Sequence, residues 1–222
     1  MEKQFKFTTP KVILCEGSED KAFLHRLIID RGLGRFHVMD TAIQRNSFGG
    51  RRGGNTKFGT RLDSFRYIEN YNIVRDILII TDKDDDPDRS FSNLRTSLDK
   101  VKIAAPARPM EPSDGLPRIT IAMIPIENDV GCLETMLIDA LRESNRNLAA
   151  HVDQFRALVC ARNWLPLYQD KLWTQSMISA SVPKDPFISL RAFIQDPKMH
   201  PFLPIGHPIF NSLARIITTF AR

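Results

Sequence analysis

The apolar run Ile77-Leu78-Ile79-Ile80-Thr81 stops abruptly at Asp82-Lys83-Asp84, and no other stretch constrains the fold as tightly. A short continuous apolar run ended by charge predicts a strand buried on both faces, as in parallel sheets. Ligand sites in open α/β sheets lie at the carboxyl ends of such strands. Side chains two apart on a strand share a face. Asp82 and Asp84 are therefore expected to aim both carboxylates at one point, with Lys83 directed away, and to hold a hard divalent cation there through oxygen.

The rest of the chain alternates around this junction. Lys11-Val12-Ile13-Leu14-Cys15 predicts a first strand, followed by a turn at Glu16-Gly17 and a helix, capped by Ser18, running to about Arg31. Phe36-His37-Val38-Met39 predicts a second strand, and the glycine-rich stretch 47–59 a loop. Helices are expected over about 60–71 and 90–104, an irregular proline-rich connection over 106–117, a further strand over 118–125, and a helix over 131–142 with Glu134 near its start. Strand alternating with helix predicts a Rossmann-like α/β fold, a mostly parallel sheet flanked by helices. From His151 the pattern turns helical, around 152–163, 169–180, 190–195 and 209–220. The expected organisation is an α/β domain over residues 1–150 and a helical extension over 151–222 packed on it.

The formal net charge of +5 says less than its distribution. Residues 41–62 carry Arg45, Arg51, Arg52, Lys57 and Arg61 with no acid, whereas residues 82–88 hold five aspartates. A positive loop near a negative, cation-seeking site suits an enzyme of phosphodiesters. The loop has two readings. Its exposed N–H groups with Arg51, Arg52 and Lys57 cradle phosphates while Phe48 and Phe58 offer stacking faces, or it is simply solvated.

Three cysteines, Cys15, Cys132 and Cys160, lack paired spacing, so neither a disulfide framework nor a zinc site is indicated. No apolar run approaches the roughly 18 residues of a membrane span, and the first residues lack the apolar core of a signal peptide. A cytoplasmic protein without a membrane partner is expected.

Glu16 after the first strand, Asp82 and Asp84 after the third, and Glu127, Asp129 and Glu134 beyond the fourth would meet at one edge of a parallel sheet. At Val12-Ile13-Leu14-Cys15-Glu16-Gly17 and Ile79-Ile80-Thr81-Asp82-Lys83-Asp84 the sequence resembles the Toprim domain of topoisomerases, bacterial primases, ribosomal-RNA maturation nucleases and overcoming-lysogenization-defect (OLD) nucleases. The resemblance covers about residues 8–142. Glu16-Gly17-Ser18-Glu19-Asp20 followed by Phe23-Leu24, and Gly131-Cys132-Leu133-Glu134, are similar to the OLD branch.

That resemblance implies a magnesium- or manganese-dependent nuclease acting on DNA or RNA. Asp82 and Asp84 would bind the cation, Glu16 would complete its shell or move a proton, and Asp20 and Glu134 would supply a second metal. No GxxxxGK[ST] phosphate loop is present, so the ATPase that accompanies OLD nucleases would come from a partner protein. The few tyrosines, Tyr67, Tyr71 and Tyr168, argue against covalent topoisomerase chemistry.

Other readings stay open at each position. Asp82 and Asp84 also fit an acidic turn capping the next helix, since Asp85, Asp86, Asp88 and Ser90 suit helix starts. An EF-hand fails, because Pro87 follows Asp86 where glycine is required and Asn93 stands at the twelfth position. Asp20 and Glu134 are also favoured in the first turn of a helix with no ligand present. Lys171 either reaches the site from the helical extension or is a surface lysine. The alternative function is a non-catalytic binding module on the same fold that recognises a partner protein or nucleotide.

Overall fold

The computed structural model describes residues 5–42 and 57–222. Four strands, β1 (Lys11–Cys15), β2 (His37–Asp40), β3 (Asp76–Asp82) and β4 (Arg118–Ile124), form one sheet in the order β2-β1-β3-β4. Every pairing is parallel, with Cys15 opposite both Asp40 and Ile80, and Asp82 opposite Ile124. This is the expected Rossmann-like α/β sheet flanked by helices.

Strand alternation divides the core into two layers. Ile13, Cys15, Leu78, Ile80, Ala122 and Ile124 face one side. There they meet α1 (Ser18–Arg31) and α4 (Leu133–Ser144). Val12, Leu14, Ile77, Ile79, Ile119 and Ile121 face the other side, against α2 (Phe58–Phe65) and α3 (Pro87–Asp99). Gly59 lets α2 and α3 touch: a Cβ there would stand 1.8 Å from the Ser97 carbonyl oxygen.

The helical extension comprises α5 (Arg146–Leu158), α6 (Pro166–Ser181), α7 (Leu190–Gln195) and α8 (Asn211–Ala221). Trp173, Phe193, Phe210 and Ile217 share one apolar cluster with Ile13, Leu78 and Phe23. The Phe23 and Phe210 rings lie 5.1 Å apart, joining α1 to the chain before α8. Arg26 and Arg31 on α1 reinforce the contact by donating to the carbonyls of Leu203 and Ile205.

Several boundaries move for local reasons. Gly17, not Ser18, is the N-cap of α1, and the Ser18 hydroxyl turns to Glu19. The helix expected over 60–71 ends at Phe65, and Asn70 in the left-handed region leads into a short 3-10 turn at Tyr71–Ile73. The helix expected over 90–104 starts earlier and ends at Asp99, because Asp86 caps it and Pro87 opens it. Similarly α5 occupies 146–158, not 152–163, since the Asn145 side chain caps it through the Leu148 N–H. Within the connection 106–117, the N–H groups of Met110 and Ser113 donate to Ile121 and Ile119 on β4, so part of it shields that strand's outer edge. Among the described residues no helix is long and apolar enough to cross a membrane.

Candidate metal centre

Parallel register carries the carboxyl ends of β1 and β3 to one edge, and the expected acids meet there. Asp82 closes β3 on the parity of Leu78 and Ile80, toward the layer of α1 and α4. Its Oδ1 accepts the Leu133 N–H at 3.1 Å, a free donor of the α4 N-terminus. Glu16 follows Cys15 directly, and its Oε2 accepts the Thr81 hydroxyl at 3.3 Å across the strand pair. The Thr41 hydroxyl donates to the Glu16 carbonyl at 2.7 Å and so anchors the turn after β1.

Asp84 arrives by a different route from the one strand alternation predicts. It lies past the end of β3 in the left-handed region, with φ of 55°. Its backbone exchanges two hydrogen bonds with Gly131, at 2.8 and 2.9 Å. Its Oδ2 accepts the buried Ser90 hydroxyl at 3.0 Å. Lys83 does turn away, donating to the carbonyls of Ile126 and Asn128. Capping of α3 falls to Asp86, whose side chain accepts the Arg89 N–H at 2.9 Å, which leaves Asp82 and Asp84 outside that role.

Asp20 sits in the first turn of α1 and accepts the Gly17 N–H at 2.8 Å. Burial pushes its carboxyl from an ordinary 3.8 up to about 7, with Glu16, Glu134 and Glu19 adding repulsion against that hydrogen bond. Asp82 is raised well above the usual carboxylate range, first by burial and then by the charges of Asp20, Glu16, Glu134 and Asp84. Asp82 thus lies in the field of the other four predicted carboxylates.

Lys171, near the start of α6, joins the same group. Burial lowers its pKa, but attraction from Glu134, Cys132, Asp82 and Asp84 outweighs this and the net shift is upward. The buried Cys132 thiol is likewise raised, by burial and then by Glu134 and Asp82. By contrast, Glu127 leaves the cluster to accept from Ser212, and Asp129 is exposed. Lys57 is the N-cap residue of α2, in the opposite layer, and Arg51 and Arg52 lie outside the described residues.

Oxygen donors with this much mutual repulsion suit a hard divalent cation, which would replace proton uptake as the means of neutralising them. Among the described residues no three His, Cys, Asp or Glu side chains are already drawn around a single metal position. The fit is therefore in donor chemistry and charge.

The supporting groups were not singled out from sequence. They are Thr81, Ser90, the Leu133 N–H and the pair formed by Thr135 and Asp170, whose hydroxyl-to-carboxylate distance is 2.6 Å. Only the Leu133 donor had a visible signal, since Gly131 and Cys132 precede a predicted helix whose first N–H groups need acceptors.

Residues 10–201 match a family model described as "Protein of unknown function (DUF3226)". No curated protein and no solved structure matches the chain.

Proposed function

We propose that this chain, which belongs to the DUF3226 family, is a magnesium- or manganese-dependent nuclease of the Toprim type that hydrolyses phosphodiester bonds. The observation that carries this reading is the electrostatic grouping of Glu16, Asp20, Asp84 and Glu134 about Asp82 at the carboxyl edge of a parallel sheet.

Asp82 and Asp84 would hold the cation with Glu16, and Asp20 and Glu134 would serve a second one. A bound divalent pair supplies a nucleophilic water at neutral pH and charge for the leaving oxygen. This chain's own groups do the rest. The Leu133 N–H fixes the Asp82 carboxylate, Ser90 fixes that of Asp84, and Thr81 holds Glu16 within reach of a proton. Lys171 offers a positive charge to a phosphate oxygen from the α6 side.

Incubation with single- and double-stranded DNA and RNA, with Mg²⁺ or Mn²⁺, tests the reading. Cleavage abolished by Asp82→Asn and by Glu16→Gln supports it. Cleavage unchanged in both variants overturns the site. Metal binding without cleavage of any substrate favours the binding module.

A further inference from the structure

Most large apolar side chains left in solvent are scattered, such as Ile29, Tyr67 and Phe187, but one segment gathers them. Between the last turns of α5 and the first turn of α6, Phe155, Leu158, Trp164, Leu165 and Tyr168 are all exposed, Trp164 at 47% and Tyr168 at 54%. Singly exposed apolar groups are ordinary, whereas a contiguous group marks a binding surface.

The charge of the segment selects the class of partner. Residues 154–169 contain Arg156 and Arg162 and no acid, in a chain that is about one-quarter charged. The Gln169 side chain donates to the Trp164 carbonyl at 2.9 Å, which ties the turn bearing Arg162 and Trp164 to α6. Tyr168 and Lys171 are three apart on α6 and therefore neighbours on one face of that helix. Asp170, two residues on from Tyr168, accepts the hydroxyl of Thr135 beside Glu134, so this end of α6 packs next to the candidate centre.

We propose that Trp164 and Tyr168, flanked by Arg156 and Arg162, form a stacking platform for unpaired bases of a single-stranded nucleic acid whose backbone runs toward the carboxylate edge. This rests on the nuclease reading above and specifies its substrate as single-stranded. Aromatic faces with arginines between them bind single strands without sequence preference, because every base has a π-face and every nucleotide a phosphate. A duplex hides its bases and gains only from the arginines. A protein partner would use the same tryptophan, tyrosine and arginine groups and has no preference for an unpaired base, which is what the test separates.

The test uses the full chain without metal, so that binding is read apart from cleavage. Oligothymidylate of about twenty nucleotides, longer than one site of this kind, is titrated against it. Trp173 is buried, so quenching of tryptophan emission reports Trp164. Quenching is expected in the wild type. Affinities are read from the fluorescence anisotropy of a dye-labelled oligonucleotide, a signal that survives loss of Trp164. They should be at least about tenfold above that for duplex of the same length and fall by about tenfold or more in a Trp164→Ala, Tyr168→Ala double variant.

Arg162→Glu, at an exposed position, should also weaken binding and flatten its salt dependence. Equal affinity for duplex, or unchanged affinity in both variants, overturns the platform while leaving the nuclease reading to its own cleavage assay. Altered self-association in the double variant with unchanged oligonucleotide affinity assigns the surface to a second copy and also overturns it. Binding lost in the variants from a wild-type chain that cleaves nothing supports the platform and removes the nuclease.

Discussion

Thr135 on α4 donates its hydroxyl to Asp170 on α6 at 2.6 Å, which joins the chain neighbours of Glu134 and Lys171, two side chains of opposite charge that attract each other. The same Thr135 oxygen accepts the Cys132 N–H at 3.1 Å, and a Cβ on Gly131 would stand 2.7 Å from it. Gly131 in turn exchanges backbone hydrogen bonds with Asp84. One short chain of contacts therefore fixes Asp84, Glu134 and Lys171 relative to each other.

Removing the middle of that chain should cost stability and more activity. Thr135→Val keeps the shape and leaves the Cys132 N–H and Asp170 without their partner, so a loss of about 1–3 kcal/mol is expected in chemical denaturation. Gly131→Ala should cost about as much, since φ at 128° disfavours any side chain. Cleavage measured where both variants remain folded should fall by about tenfold or more, as a small misplacement of catalytic groups does. Full activity in folded Thr135→Val would show that Lys171 is positioned without this contact.

The carboxylates predict an unusual response to pH in protein stripped of divalent cations. Asp20 is raised from 3.8 to about 7 in the fold. A folded value above the unfolded one gives stability that is complete below the unfolded pKa and lost as pH rises through the folded one. Metal-free wild type should therefore lose stability between about pH 4 and pH 7 relative to Asp20→Asn, which carries no titrating group there. Millimolar Mg²⁺ should restore the wild type above pH 7 by binding the native state only. Parallel stability curves for the two proteins in EDTA would contradict the assignment, and so would a magnesium effect that survives Asp82→Asn.

How much of this was legible beforehand follows from where the information sits. Strand existence was readable because Ile77 to Ile80 and Val12 to Cys15 are apolar on both faces, and the order of Glu16, Asp82 and Glu134 along a parallel α/β chain brings them to one edge. Helix ends were not, because they depend on particular caps: Gly17 in place of Ser18, Asp86 with Pro87, and Asn145. Asp84 does not stand on the strand, so strand alternation is not what positions it. A left-handed residue pinned by Gly131 delivers it, and no strand period encodes such a contact 47 residues away. Lys171 was ambiguous in sequence because its partners are all on other elements.

Divalent cation binding should also depend on Lys171, in the sense opposite to catalysis. Its ammonium offsets part of the charge of Glu134, Asp82 and Asp84. Lys171→Met removes that competitor, so Mn²⁺ affinity measured calorimetrically should rise severalfold while cleavage falls. Unchanged Mn²⁺ affinity would place the ammonium outside the field of the bound ion.

Trp173 supplies the last test, of what holds α6 against the core. Its indole N–H donates to Asp153 on α5 at 2.8 Å, and the Arg142 guanidinium from α4 lies 4.9 Å from its ring. Arg142 also donates to both Asp153 oxygens, at 2.6 and 3.2 Å, and this pairing, aided by the indole, holds the Asp153 carboxyl below its ordinary value. Trp173→Phe keeps the buried ring and deletes the donor, so a cost of about 1–2 kcal/mol is expected, with the ion pair itself discounted for solvent. A depressed carboxylate stabilises above its unfolded pKa and loses that contribution as pH falls through its folded one. In a double-mutant cycle the coupling between Trp173→Phe and Asp153→Asn should therefore be clear at neutral pH and fade below about pH 4. Coupling that persists in acid would mean that the indole bond to Asp153 does not depend on the charge of the carboxylate, and that the neutral acid holds Trp173 as well.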